Sequence, residues 1–228
     1  KVLNEPVVGF VTALMQKRLV SSLGAITKTL QRRIKSLMQK EEGFELSEEA
    51  KLYYEGEDLE EEDREKAEKE LMNFSTSHDD LEEEIKFLKS LIDMSKDITL
   101  DSKAQKITNY IYSLLEDNPQ EKVLIFTEYK DTLDYLIKIF QQEYWGDEIL
   151  VIHGGVSKND RERIEKEFNY GESRILFATD AASEGIDLQK SCHIMINVEL
   201  PWNPNKLEQR IGRLHRYGQE KEVKVWNF

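Results

Sequence analysis

The densest group of chemistry-bearing side chains is Gln209-Arg210-Ile211-Gly212-Arg213-Leu214-His215-Arg216. Gln209, Arg213 and Arg216 stand at i, i+4 and i+7. On a continuous helix they share a face, about 200° from the face of Leu207, Ile211 and Leu214. With the apolar face packed inward, an amide and two planar guanidiniums project outward together, a donor set suited to phosphate or carboxylate. A merely solvated helix face satisfies the same spacing.

A second group, Ala178-Thr179-Asp180-Ala181-Ala182-Ser183-Glu184-Gly185-Ile186-Asp187, leaves an apolar run and enters a loop. Small residues and Gly185 permit close backbone approach. Thr179 and Ser183 offer hydroxyls to phosphate oxygens, and Asp187 could accept from a ribose hydroxyl. Ordinary turn chemistry at a strand end explains the same residues. His153-Gly154-Gly155 also ends an apolar run, before a helical pattern with Asn159, Asp160 and Arg161 in its first turns; amides at such a turn bind phosphate, and the turn alone accounts for the glycines.

Several chemistries find no support. The sequence has no Gly-x-x-x-x-Gly-Lys-Ser/Thr loop, and Asp147-Glu148-Ile149-Leu150 precedes an apolar strand rather than ending one, so it is not a magnesium-binding box. Four scattered His and the single Cys192 give neither metal-ligand spacing nor a nucleophilic triad, and one cysteine cannot form an intrachain disulfide. A reducing cytoplasm is expected. The 228 residues are 39% hydrophobic and 34% charged, with no run long enough to span a membrane, as in a soluble globular protein of one large or two small domains. The start, Lys-Val-Leu-Asn-Glu-Pro, is not a signal peptide, and a chain starting without Met is expected to continue upstream.

The formal net charge of -13 argues against non-specific nucleic-acid binding by the whole chain, yet it is unevenly spread. Residues 1–40 hold eight Lys/Arg against one Glu, and residues 41–70 hold four against fifteen Asp/Glu. Lys17, Arg18, Lys28, Arg32, Arg33 and Lys35 could contact phosphates, or could belong to helices packed on an acidic neighbour. The acidic stretch is either a solvated helical face or mobile connector, or a nucleic-acid mimic that shields the basic segment, and its helices could dock a protein partner.

These groups need elements to hold them. Between Val7 and Asn118 there is no proline, and apolar residues recur at helical spacing through Leu23, Ile26, Leu30, Ile34 and Leu37, through Leu81, Ile85, Leu88 and Ile92, and, after an N-cap at Asp101, through Ile107, Ile111, Leu114 and Leu115. Beyond Pro119, strands are predicted over Val123–Thr127, Ile149–His153, Arg174–Thr179, His193–Val198 and Val223–Trp226. Helices are predicted over Asp131–Gln142, Asn159–Phe168 and Pro204–Tyr217. Near-continuous apolar strands alternating with helices describe an α/β fold around a buried parallel sheet, whose ligands gather at the carboxyl ends of the strands.

In this order the segments resemble the second RecA-like lobe of superfamily 2 helicases and translocases. Val123-Leu124-Ile125-Phe126-Thr127 looks like motif IV, Ile175 to Leu188 like motif V and Gln209 to Arg216 like motif VI, joined by His153-Gly154-Gly155 and Leu200-Pro201-Trp202-Asn203-Pro204. The run Arg216-Tyr217-Gly218-Gln219 is similar to the ending of this motif in Swi/Snf-type double-stranded DNA translocases, particularly the bacterial RNA-polymerase-associated branch. The resemblance implies a RecA-like parallel sheet flanked by helices over 101–228, preceded over 1–100 by a mainly α-helical inter-lobe insertion with the acidic segment.

It also implies roles. Arg213 and Arg216 match arginines that reach across an inter-lobe cleft to ATP phosphates, and Gln209 matches the residue coupling that site to nucleic acid. Gly185 and Asp187 match positions near the nucleotide; Thr127, Gly154, Arg161 and Thr179 match positions on or near the nucleic-acid backbone. ATP with Mg2+ would be held mainly by an upstream RecA-like lobe of the same protein. Lys158 departs from the glutamine common there in related helicases, and Ser183-Glu184-Gly185 departs from the Gly-rich form of eukaryotic remodellers. The implied function is the C-terminal motor lobe of an ATP-dependent DNA translocase or helicase, cytoplasmic and nucleoid-associated in a prokaryote, and inactive without the upstream lobe. An RNA track and a non-catalytic interaction module derived from a motor lobe are the competing readings.

Overall fold

A computed structural model of the chain describes residues 4–39, 47–54, 59, 61–73, 81–98, 101–142, 149–180 and 185–228. They fall into two compact units, Lys1–Thr99 and Leu100–Phe228. No helix among the described residues is long and apolar enough to cross a membrane.

The first unit is helical: α1 (Asn4–Ser21), α2 (Leu23–Gln39), α3 (Glu48–Tyr54), α4 (Glu61–Asn73) and α5 (Leu81–Lys96). The apolar stripe foreseen on α2, Ile26, Leu30, Ile34 and Leu37, is buried against Leu88 of α5, with Leu81, Ile85 and Ile92 at its border. Helix α5 opens on Glu82, Glu83 and Glu84 and closes on Lys96, charges that complement its dipole. Arg18 and Arg33, both weighed as phosphate contacts, are paired inside this unit. Arg18 is buried and pairs with Glu68, which also accepts from the Tyr53 hydroxyl at 2.8 Å. Arg33 is buried and donates to Glu84 at 2.9 Å. Part of the acidic segment, residues 41–46, 55–58 and 60, lies outside the described residues.

The second unit runs α6 (Ser102–Asp117), β1 (Val123–Thr127), α7 (Lys130–Gln142), β2 (Ile149–Ile152), α8 (Lys158–Tyr170), β3 (Ile175–Thr179), β4 (Ile194–Asn197), α9 (Pro204–Ile211) and β5 (Lys224–Asn227). All strand pairs are parallel, in the order β2-β3-β1-β4-β5. Strand alternation divides the core. Val123, Ile125, Ile175, Phe177, Ile194 and Ile196 face Ile107, Ile111 and Leu115 of α6 and Leu133, Leu136 and Phe140 of α7. Leu124, Phe126, Leu176, Ala178 and Met195 face the opposite layer with Phe168 of α8, Ile186, Leu188 and Leu214. Both faces being covered, β1, β3 and β4 are buried at every position, which is why their sequences do not alternate.

Local chemistry sets the helix starts. The Asp101, Ser157 and Asn203 side chains accept from the amides of Ala104, Asp160 and Asn205, and Pro204 opens α9. One expectation fails: the last helix ends at Ile211, not Tyr217. Past it three-residue steps enter, Arg213 amide to Arg210 carbonyl and Leu214 amide to Ile211 carbonyl, both 3.0 Å, beside a four-residue bond from the His215 amide to the Ile211 carbonyl at 2.8 Å. Gly212 stands at this end, as a weak helix former does. Leu214 still turns inward, so the apolar spacing outlives the helix that it suggested.

Candidate functional site at the carboxyl edge of the sheet

Strand register assembles the edge. Thr127 is paired with Thr179, and Ile152, paired with Ala178, leads two residues on to Gly154. Three positions expected at nucleic acid thus top three adjacent strands, β2, β3 and β1. The His153-Gly154-Gly155 turn is closed by a Val156 amide to His153 carbonyl bond of 2.9 Å and by the Gly155 amide on His153 Nδ1 at 3.1 Å. Arg161 braces it from α8, donating from Nε to the Val156 carbonyl at 3.0 Å and from Nη2 to the Gly154 carbonyl at 3.1 Å. Gly154 and Arg161 are therefore joined, and the guanidinium sets the loop's shape.

Thr127 and Thr179 are wholly buried. The Thr127 hydroxyl donates to Glu199 Oε1 at 2.7 Å and accepts from the Tyr129 amide at 3.3 Å. In this arrangement Thr127 shows no hydroxyl to solvent. The Glu128 amide donates to the same Glu199 oxygen at 2.5 Å. Burial pushes the Glu199 carboxyl above its ordinary value, opposed by the Thr127 hydroxyl, the Glu128 amide and the charges of Lys103 and Arg210. Lys103, on α6, is pushed the other way by its own burial, with Glu199 and Asp101 pulling it back up.

The residue that spacing passed over is Arg210. It is 1% exposed and spends its guanidinium inside the edge: Nε and Nη2 grip Asp180 at 2.5 and 2.8 Å, and Nη1 donates to Asn197 Oδ1 at 2.9 Å and the Glu199 carbonyl at 3.0 Å. The Phe126 ring centroid is 5.3 Å from its central carbon. A signal existed. Arg210 lies three residues after Leu207 and four before Leu214, on the apolar face, where a guanidinium needs a buried partner.

The remaining candidates form a looser group. Gly185 has φ +80°, with nothing near enough to crowd a side chain there, so backbone conformation is what requires glycine. Asp187 accepts from Arg216 Nη1, and both side chains are about half exposed, at 48% and 47%. The Leu188 amide lies 3.4 Å from the Arg213 carbonyl, so the loop after β3 and the turn after α9 are neighbours, and Arg213 is half-buried there. Gln209 stands exposed on α9 and is bonded to neither arginine. Because α9 stops at Ile211, the common helical face expected for Gln209, Arg213 and Arg216 does not exist; Arg216 meets Asp187 through a turn. Ser183 and Glu184 lie outside the described residues. Cys192 is buried, its thiol pushed up to about 12 mainly by burial.

Comparison with known proteins gives this geometry a context. A model described as the helicase conserved C-terminal domain matches residues 102–218. The chain is 42% identical over 138 residues to the uncharacterised ATP-dependent helicase YqhH of Bacillus subtilis, covering 60% of this chain and 23% of that protein. It is 37% identical over 118 residues to the ATP-dependent RNA helicase dbp2 of Sclerotinia sclerotiorum, covering 52% and 20%. The chain thus spans under a quarter of the curated relatives it matches. Among solved structures it resembles the C-terminal part of the Fun30 ATPase domain, with a TM-score of 0.51 and 20% identity, covering 88% of this chain and 78% of that one, a likeness of fold.

Proposed function

The chain belongs to the helicase conserved C-terminal domain family, and we propose that it is the second motor lobe of an ATP-dependent double-stranded DNA translocase or helicase. The observation that carries this reading is the half-exposed Arg216, held by one equally exposed carboxylate and able to exchange Asp187 for a phosphate. Arg216, together with Arg213, serves as the arginine finger, stabilising charge on the transferring phosphoryl group, an effect of about 10³–10⁵ in rate. Asp187 and Gly185 adjoin the nucleotide, and Gln209 relays between nucleotide and track. The strand ends at Thr127, Gly154 and Thr179, with Arg161 shaping the loop, lie near the nucleic-acid backbone, the two buried threonines supporting that edge from beneath.

ATP is substrate in this scheme. The sequence lacks a Gly-x-x-x-x-Gly-Lys-Ser/Thr loop, and Mg2+ and most of the triphosphate are assigned in this reading to a RecA-like lobe that precedes this one in the same protein. The present chain alone is then inactive. The helical residues 1–100 act as an insertion between the lobes, offering their acidic stretch to a protein partner. In a protein carrying both lobes, Arg216→Ala or Arg213→Ala should lower ATP turnover at least about a thousandfold while leaving ATP binding nearly intact, because the finger acts on the transition state. Near-normal turnover overturns the assignment.

RNA is the second reading of the track, favoured by the 37% identity to an ATP-dependent RNA helicase. Comparing stimulation of turnover by duplex DNA, single-stranded DNA and RNA decides between them.

A further inference from the structure

Glu199 follows β4 and is 8% exposed, with the charges of Lys103 and Arg210 acting on its carboxylate. One oxygen of its carboxylate takes two donors from the end of β1, the Thr127 hydroxyl and the Glu128 amide. The other, Oε2, is buried and has no hydrogen-bond partner. Its main-chain carbonyl accepts from Arg210 on α9. A buried carboxylate with one unsatisfied oxygen is destabilising unless something else selects it.

We infer that Glu199 is a positioning residue that fixes the end of β1 to the arginine-bearing helix, so that the strand tip expected at nucleic acid and the segment leading to Arg213 and Arg216 hold one relative position. The inference rests on the function proposed above and adds a residue to it. The two halves of Glu199 do different work. The side chain orients Thr127 and the Glu128 amide, and the main-chain carbonyl, which every residue would supply, holds Arg210. Removing the carboxylate should therefore loosen the strand tip and leave the Arg210 grip on Asp180 and Asn197 in place. Glutamine keeps an acceptor for both donors and should restore the arrangement.

The test uses the protein with both lobes and a short DNA duplex as probe, reading the duplex concentration that half-stimulates ATP turnover beside the KM for ATP. Glu199→Ala should raise the former about tenfold, the size expected when charge-assisted hydrogen bonds are lost, and leave the latter within about twofold. Glu199→Gln should stay close to wild type. Thr127→Val should reproduce part of the alanine effect, and combining it with Glu199→Ala should add little, because both changes break one contact. Unchanged half-stimulation in Glu199→Ala, equal loss in alanine and glutamine variants, or full additivity overturns the inference. Should Glu199→Ala fail to fold, Thr127→Val against Glu199→Gln still decides, since the first must shift and the second must not. Arg216→Ala in the same assay keeps the two ideas apart: if it abolishes turnover while Glu199→Ala changes nothing, the motor assignment stands and the positioning role falls.

Discussion

Two arginine–aspartate pairs come from one stretch of eight residues, and they behave as different chemical objects. At the strand tips Arg210 is dehydrated, gripped in two places by Asp180 and held by Asn197 and the Glu199 carbonyl. At the junction of two loops Arg216 meets Asp187 with each side chain about half in water. Separating the first pair would strand a charge where water cannot reach it, whereas separating the second lets solvent take both partners. Residue type does not decide which guanidinium is available to a phosphate. Hydration does.

The comparison can be broken at several points. Arg210→Ala should destabilise the chain by about 3–5 kcal/mol, because it removes the buried guanidinium that holds Asp180, Asn197 and the Glu199 carbonyl together; urea unfolding showing less than about 1 kcal/mol would reduce Arg210 to a surface residue. Arg161→Ala removes two charge-assisted bonds to loop carbonyls and should cost about 1–3 kcal/mol. Faster amide exchange at Gly155 and Val156 would show that the loss falls on the turn. Arg216→Ala should change stability by no more than about 1 kcal/mol, in contrast to the loss of turnover proposed for it, and a larger loss would make the exposed pair structural.

The smallest effect is on pH dependence. Because burial raises the Glu199 carboxyl, the folded chain keeps a proton that the unfolded chain releases once pH passes the ordinary carboxylate value. Stability from this group therefore falls as pH rises through the window between the two values. Glu199→Gln should flatten that decline; an identical slope in both proteins would show that another group causes it.

Much of the scaffold was legible because local rules and tertiary packing agree. Val123–Thr127 is a strand over the expected residues, and Asp101 caps α6 as its position suggested. Buried strands of a parallel sheet announce themselves as short apolar runs, and the α2 stripe needs nothing beyond helical periodicity. The site was legible in part. Register brought Thr127, Thr179 and Gly154 to one edge, as strand ends in a parallel sheet must. The end of α9 was not foreseen, because Leu214 keeps helical spacing while the backbone tightens around Gly212. Asp180 and Arg210 are thirty residues apart, and no local pattern states that one will neutralise the other. Packing of the basic helices on an acidic neighbour was one of the two readings of that run, but which arginine takes which carboxylate, as Arg18 takes Glu68, is stated only by the fold.

After Leu214 sinks into the core, the backbone is caught again at Gln219, whose side-chain amide donates to the carbonyls of Cys192 at 2.9 Å and Leu214 at 3.2 Å, with Gly218 at φ +95° completing the return. Arg216 thus sits midway along an arch with both feet bolted down. Such an arch cannot swing far, so the guanidinium can search for a new anion by bond rotations within its own side chain. In the proposed motor, a finger mounted this way trades reach for speed: the partner lobe must bring the phosphate to it.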